Sequence, residues 1–251
     1  MRKFNAFTLA EGVTHVATPN NKQSFGFTLA EVLITLGIIG VVAAMTMPTL
    51  MNSTQGAQYK AAYKKALSAL GQAVTLNVAL DGGNFYDAVA GGGTSAKTDQ
   101  DTEGTIAYIL SKRMNVVSAT NALASTHTIT NDSGVDLPTV NTFLFFNDGI
   151  MFAFDGKDTA CTLVTAGGAT PNVCEGYIDV NGQKGPNKVV KCNSGTGATA
   201  TAKDTFDATT GVKTEATSCE VGNPTDVYPV FFYDQTVTPA TNAAKAVLYG
   251  K

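Results

Sequence analysis

From Phe27 to Met47 the chain reads FTLAEVLITLGIIGVVAAMTM, 21 residues interrupted by a single charge, Glu31. At about 1.5 Å per residue such a helix covers a hydrocarbon core of about 30 Å, and it is the chain's one transmembrane candidate. The period then changes. Tyr59, Ala62, Tyr63, Ala66, Leu70, Ala73 and Val74 recur at spacings of three and four, with Lys60, Lys64, Lys65 and Gln72 elsewhere around the wheel. This predicts an amphipathic helix over 48–80 with one buried face. Pro48, at the junction, removes one helical hydrogen bond and predicts a bend or a short melted stretch. Asp81-Gly82-Gly83-Asn84 ends the helix, and Gly91-Gly92-Gly93 with the polar run to Glu103 reads as loop. Thr105–Val117 fits a short helix or a strand. Thr142–Phe146 and Ile150–Phe154 are apolar runs about Asn147-Asp148-Gly149, which predicts a hairpin. Tyr177–Val180 and Val227–Tyr233 read as further strands, with Pro229 placing the last at an edge or bulge. Residues 194–217, poor in large apolar side chains, read as an exposed loop restrained by flanking cysteines. The fold class expected is α+β: a long N-terminal helix, half membrane (27–47) and half amphipathic (48–80), packed on an antiparallel β-sheet head (81–251).

Composition narrows the surroundings. The formal net charge is −3, and no basic run extends beyond Lys64-Lys65, so nothing marks out a nucleic acid backbone as partner. Low charge with abundant Gly, Thr, Ala, Asn and Ser suits a secreted, loop-rich β domain. The four cysteines, Cys161, Cys174, Cys192 and Cys219, form no C-x-x-C pair of the kind found in zinc or redox sites. They read as two disulfides formed in an oxidising compartment. Three pairings are open; the sequential one, Cys161 with Cys174 and Cys192 with Cys219, is favoured because each bond closes a local loop.

Catalytic chemistry finds little to work with. The only histidines are His15 and His127, and His127 lies in a polar, Thr-rich context without a nucleophile elbow, which reads as surface. No phosphate-binding G-x-x-x-x-G-K-[ST] loop or H-E-x-x-H helix occurs, and the expectation is a non-enzymatic protein. Asp179-Val180-Asn181-Gly182-Gln183-Lys184-Gly185-Pro186-Asn187 alternates oxygen side chains in a Gly-containing turn, a pattern able to wrap a calcium ion. It is not an EF-hand loop: its glycine is misplaced, and Val190 stands where the bidentate Glu would be. The competing reading is a tight turn with Asn and Gly in left-handed conformations.

Gly26-Phe27-Thr28-Leu29-Ala30-Glu31 resembles the processing site of type IV prepilins and type II secretion pseudopilins, in which a peptidase cuts after Gly and methylates the new N-terminus. The resemblance rests on residues 26–77. It implies a leader over 1–26, cleavage after Gly26, methylation of Phe27 and an acidic fifth residue at Glu31. In assembled filaments of the family that carboxylate faces a neighbour's amino terminus, which gives a reason for a costly charge in an apolar run. Gly40 and Pro48 fall where pilins commonly have a small residue and a helix-loosening proline. The sequence departs from the family in having Phe25 before the Gly, where a basic residue is usual; the nearest is Lys22. Phe7-Thr8-Leu9-Ala10-Glu11 repeats the same five residues upstream, but a polar segment follows it, and it reads as a duplication scar within the leader. Some pseudopilins carry a calcium in a C-terminal loop, and by resemblance Asp179, Asn181 and Asp226 would serve here. The partners implied are prepilin peptidase, other pilin or pseudopilin subunits, an inner-membrane assembly platform, and membrane lipid before assembly. The function implied is that of a structural filament subunit, anchored by one pass in the bacterial inner membrane with its head outside the cytoplasm. A minor pilin with a tip-binding role in adhesion or DNA uptake, and an unrelated anchored extracytoplasmic module, stand as alternatives.

Overall fold

In a computed structural model of the chain, residues 26–87, 105–120, 129, 142–154, 161–163, 173–193, 205–206, 213–214 and 219–250 are described. His15, His127 and the upstream FTLAE copy lie outside them. Helix α1 (Leu29–Asp81) runs through 53 residues, and the chain divides into two units, Met1–Met47 and Pro48–Lys251.

The second unit is organised by one face of α1. Gly56, Tyr63, Ala66, Leu70, Ala73, Val74 and Asn77 are its buried positions, the stripe expected from the three-and-four spacing. Tyr59 and Ala62 pack at its margin. The residues after Asp81 turn away through Gly82, at φ +79°, where a side chain would be strained. Its N–H donates to the carbonyl of Asn77.

Against this face lies a six-stranded sheet in the order β1 (Val116–Thr120), β2 (Thr142–Phe146), β3 (Met151–Phe154), β4 (Cys174–Asp179), β7 (Val227–Tyr233), β8 (Thr236–Pro239), with every neighbouring pair antiparallel. The hairpin pairs Thr142 with Phe154 and Phe145 with Met151, its turn held by Gly149 at φ +85°. The pleat sorts its apolar residues between two faces. Leu144, Phe146, Phe152, Phe154, Ile178, Tyr228, Val230 and Phe232 join the α1 stripe in the main core. Phe143, Met151, Ala153, Tyr177 and Val227 form a smaller cluster on the other face with Ile129 and Val189. Each Phe moved from water into such a core stabilises by about 1.5–3 kcal/mol. A one-residue slip in register would exchange the two sets.

Three expectations need correction, and two elements were not expected at all. The helix is not melted at Pro48, which lies inside α1. Pro48 is exposed, so its ring meets no packed neighbour, and the loss is confined to one bond of a long ladder. β7 is an interior strand between β4 and β8. Pro229 is tolerated there because its carbonyl accepts from Ala240 N–H just beyond Pro239, the last residue of β8. The missing donor therefore faces the end of a ladder. Within 194–217, Thr205–Phe206 (β5) pairs with Lys213–Thr214 (β6) as a two-stranded ladder. Finally, β8 and α3 (Asn242–Tyr249) close the chain. Thr241 caps α3, its hydroxyl accepting from Ala244 N–H at 3.2 Å. The ambiguous Thr105–Val117 segment resolves into α2 (Ile106–Arg113), capped by Thr105, followed by β1.

The disulfides are Cys161–Cys174 and Cys192–Cys219. The first sits in the main core; the second restrains the segment containing β5 and β6.

Leu70 is 2% exposed and Leu76, on the same helix, is 51% exposed. Leu70→Ala should lower unfolding stability by about 2–5 kcal/mol, through lost transfer energy and the cavity left behind. Leu76→Ala should stay within about 0.5 kcal/mol. Chemical denaturation of the full chain in detergent, followed by near-ultraviolet circular dichroism, measures both.

Candidate functional site

The N-terminal unit carries the first candidate site. Thr28 is the residue before α1, and the Glu31 carboxylate turns back to it. Glu31 Oε2 accepts from Thr28 N–H and from Thr28 Oγ1, both at 2.8 Å, while Glu31 N–H donates to Thr28 Oγ1 at 3.3 Å. This is a capping box, in which each residue satisfies a donor that the first turn of a helix leaves open. In the single chain, therefore, the one charge of the apolar run caps its own helix.

Beyond the cap, side chains are apolar around the whole circumference. Val32, Leu33, Ile34, Leu36, Ile38, Ile39, Val41, Val42, Met45 and Met47 are all exposed, and an 18-residue window of α1 has mean hydropathy 2.2 with none of it buried. The hydroxyls of Thr35 and Thr46 bond back to the carbonyls of Val32 and Val42. A helix apolar on all sides, with its hydroxyls internally satisfied, suits lipid or a bundle of like helices. Added Cβ atoms at Gly26, Gly37 and Gly40 would meet nothing within 4 Å, and none of the three has positive φ. Nothing within the folded chain accounts for glycine at these places, and glycine costs a helix interior about 1 kcal/mol relative to alanine.

The second candidate site lies in the head, where β4 ends and β7 begins. Asp179 and Asp226 are both fully buried. Asp226 is well provided for: Oδ2 accepts from Asn187 N–H at 2.8 Å and Oδ1 from Lys188 N–H at 2.9 Å. The intervening loop is stitched to the same strand by Val180 N–H to the Asp226 carbonyl and Val227 N–H to the Lys188 carbonyl. Asp179 is less well served. Oδ1 accepts from Asn181 N–H at 3.1 Å, whereas Oδ2, like Oδ1 of Asn181, is buried with no hydrogen-bond partner. Burial, and then the neighbouring Asp226 charge, push the Asp179 carboxyl up to about 8. The loop has the conformation of the tight-turn reading, since Gly182 (φ +68°) and Asn187 (φ +50°) are left-handed. Gly182 is also sterically required, because a Cβ there would lie 2.6 Å from the Gly149 carbonyl.

The three residues singled out as a possible calcium set, Asp179, Asn181 and Asp226, are thus gathered around one loop. The donor set is all oxygen, as a hard divalent cation requires, and the buried, unpartnered Asp179 oxygen is the kind of group such an ion would satisfy. Among the described residues no group of three or more His, Cys, Asp or Glu side chains forms a denser centre. Tyr59 on α1 and Tyr228 on β7 also belong to this neighbourhood. The phenol of each is shifted upward by burial first and by Asp226 next. Their apolar spacing marked both as core, and nothing in the sequence pointed to their second environment.

Among the described residues, fold and first site together give one N-terminal helix long and apolar enough to cross a membrane and an α+β head of pilin-like layout. Residues 21–47 match the family model of the prokaryotic N-terminal methylation motif, the hallmark of type IV prepilins and pseudopilins. No curated protein and no solved structure matches the chain.

The raised Asp179 value gives a signed pH dependence. With the folded value at about 8 and the ordinary value at 3.8, the folded chain retains a proton that the unfolded chain releases. The stability this contributes is fully present below 3.8 and is lost as pH rises through about 8. Chelator-treated protein should therefore lose denaturation midpoint steadily from pH 5 to 8, and Asp179→Asn should flatten that slope; an unchanged slope would contradict the assignment.

Proposed function

We propose that the chain is a structural subunit of a type IV pilus or a secretion-type pseudopilus. Prepilin peptidase cuts it after Gly26 and methylates Phe27, and it assembles through the apolar half of α1. The observation that carries this reading is the methylation motif at the mouth of a helix whose apolar surface is wholly uncovered. Glu31 then has two successive partners. Before assembly it caps its own helix through Thr28; in a filament the free amino group of a neighbour's Phe27 would neutralise it inside the bundle. Gly37 and Gly40 would give neighbouring helices room for close approach, as small residues do where helices pack without water. The inner membrane would hold the subunit before assembly, with an assembly platform as its further partner. The two disulfides favour a head outside the cytoplasm.

Mass spectrometry of the mature N-terminus, after expression with a prepilin peptidase, tests the processing step. Wild-type protein should begin at N-methylated Phe27, while Gly26→Val should retain residues 1–26 with the head's denaturation midpoint unchanged. An intact Met1 terminus in the wild type with active peptidase would overturn the reading. Glu31→Leu should be processed and membrane-inserted yet sediment poorly with filaments when co-expressed with wild type.

A second element concerns the head: Asp179, Asp226 and Asn181 hold a calcium ion, which would satisfy the unpartnered Asp179 oxygen and release its proton. Sites of this kind in extracellular modules bind with Kd of about 10⁻⁴–10⁻³ M. Equilibrium dialysis of the full chain in detergent should show one calcium per chain, lost in both Asp179→Asn and Asp226→Asn.

A further inference from the structure

Asn181 occupies a position between two structures. Its backbone N–H donates to Asp179, and its carboxamide oxygen is buried without a partner. Its carboxamide nitrogen points the opposite way, donating to the Gly185 carbonyl at 3.3 Å and to the Tyr59 hydroxyl of α1 at 3.5 Å. One planar group thus carries a buried, unpartnered acceptor and a donor turned toward the helix. One turn further along α1, Tyr63 stacks on Tyr228 with ring centroids 4.0 Å apart and planes 10° from parallel. Tyr228 lies two residues after Asp226. The loop 180–188 therefore touches both Asp226, through Asn187 and Lys188, and Tyr59 of α1, through Asn181.

We infer that Asn181 couples the occupancy of the Asp179/Asp226 site to the docking of α1 on the head, with Tyr59 as the positioning residue on the helix side. The inference rests on the calcium reading above and adds the consequence of binding. A cation drawn to the carboxamide oxygen fixes the plane of the group, and a fixed plane aims the nitrogen at Tyr59. With the ion removed, the carboxamide is held through its nitrogen alone, by Gly185 and Tyr59, which loosens the contact to α1. The linkage is reciprocal: whatever strengthens the α1 contact also strengthens ion binding. A filament subunit built this way would register divalent cation in the helix segment that leaves the membrane run and enters the head.

Tyr59→Phe isolates this step, because it removes the hydroxyl while keeping the ring and touches none of the oxygen ligands. The test is hydrogen–deuterium exchange by mass spectrometry on the full chain in detergent micelles, with saturating calcium against a chelator. In wild type, calcium should slow exchange about tenfold both in the loop peptide 179–190 and in the α1 peptide spanning Tyr59 to Ala66, a local stabilisation of about 1.4 kcal/mol. In Tyr59→Phe the loop should respond as before and the helix peptide should not. A loop response without a helix response in wild type would overturn the coupling and leave the calcium site intact. An equal helix response in wild type and Tyr59→Phe would also overturn it, placing any link in the Tyr63–Tyr228 stack instead. Absence of any calcium response, together with no calcium retained on dialysis, would overturn the site and the coupling with it.

Discussion

The head depends on a narrow apolar stripe of α1 finding the inner face of the sheet. Along it small residues, Gly56, Ala66 and Ala73, alternate with the large side chains of Tyr63 and Leu70. At Gly56 the fit is close enough that a Cβ would come within 3.1 Å of the Pro224 ring. The alternation that sends Phe152, Phe154 and Phe232 to this side, where their rings meet edge to face or offset, has meaning only because the helix is there to cover them. The same docking determines where polarity can survive. Lys65 at the rim pairs with Asp148 in the β2–β3 turn at 2.9 Å, an exposed contact worth little energetically. Asp179 and Asp226, at the margin of the same interface, are sealed from water.

Sequence patterning located these elements to differing degrees, for physical reasons. The α1 stripe and the β2–β3 hairpin were legible because each depends on local period: 3.6 residues for a helix packed on one side, two for a strand. Interior position in a sheet is a property of partners, and for that reason Pro229 was misplaced. Its ring forbids a donor, but nothing local says that the ladder ends beside it. Pro48 was misjudged for a related reason. A proline withdraws one bond, and whether that melts a helix depends on the turns on either side. α3 was overlooked although its signal was present in Thr241 followed by Asn-Ala-Ala-Lys-Ala-Val-Leu, a capping residue before strong helix formers. Its short length hid it.

The same limit applies to the two candidate sites. The segment from Gly26 to Glu31 declares itself because its chemistry is contiguous: scissile position, new terminus and carboxylate lie within six residues. The cation set is split along the chain, with Asp179 and Asn181 where β4 ends and Asp226 just before β7 begins. Sequence could suggest that Asp179 and Asn181 alternate suitably, but not that Asp226 is held beside them or that Tyr59 reaches in from the helix. Those are consequences of sheet order.

The two carboxylates that matter most, Glu31 and Asp179, pose the same problem under opposite conditions. Each is a charge in a place that disfavours charge. Glu31 has a local answer, since Thr28 offers a hydroxyl and an N–H that the helix terminus leaves open. The carboxylate is therefore satisfied in the single chain by a capping box worth about 1 kcal/mol, weak enough to give way to the neighbouring terminus proposed above. Among the described residues Asp179 has no full answer of this kind, because its second oxygen makes no hydrogen bond. A group of that kind either holds a proton, at the expense of stability as pH rises, or takes a cation. The first carboxylate is thus satisfied within its own helix and the second is left with an unpartnered oxygen, and this difference follows from which backbone donors the fold leaves within reach.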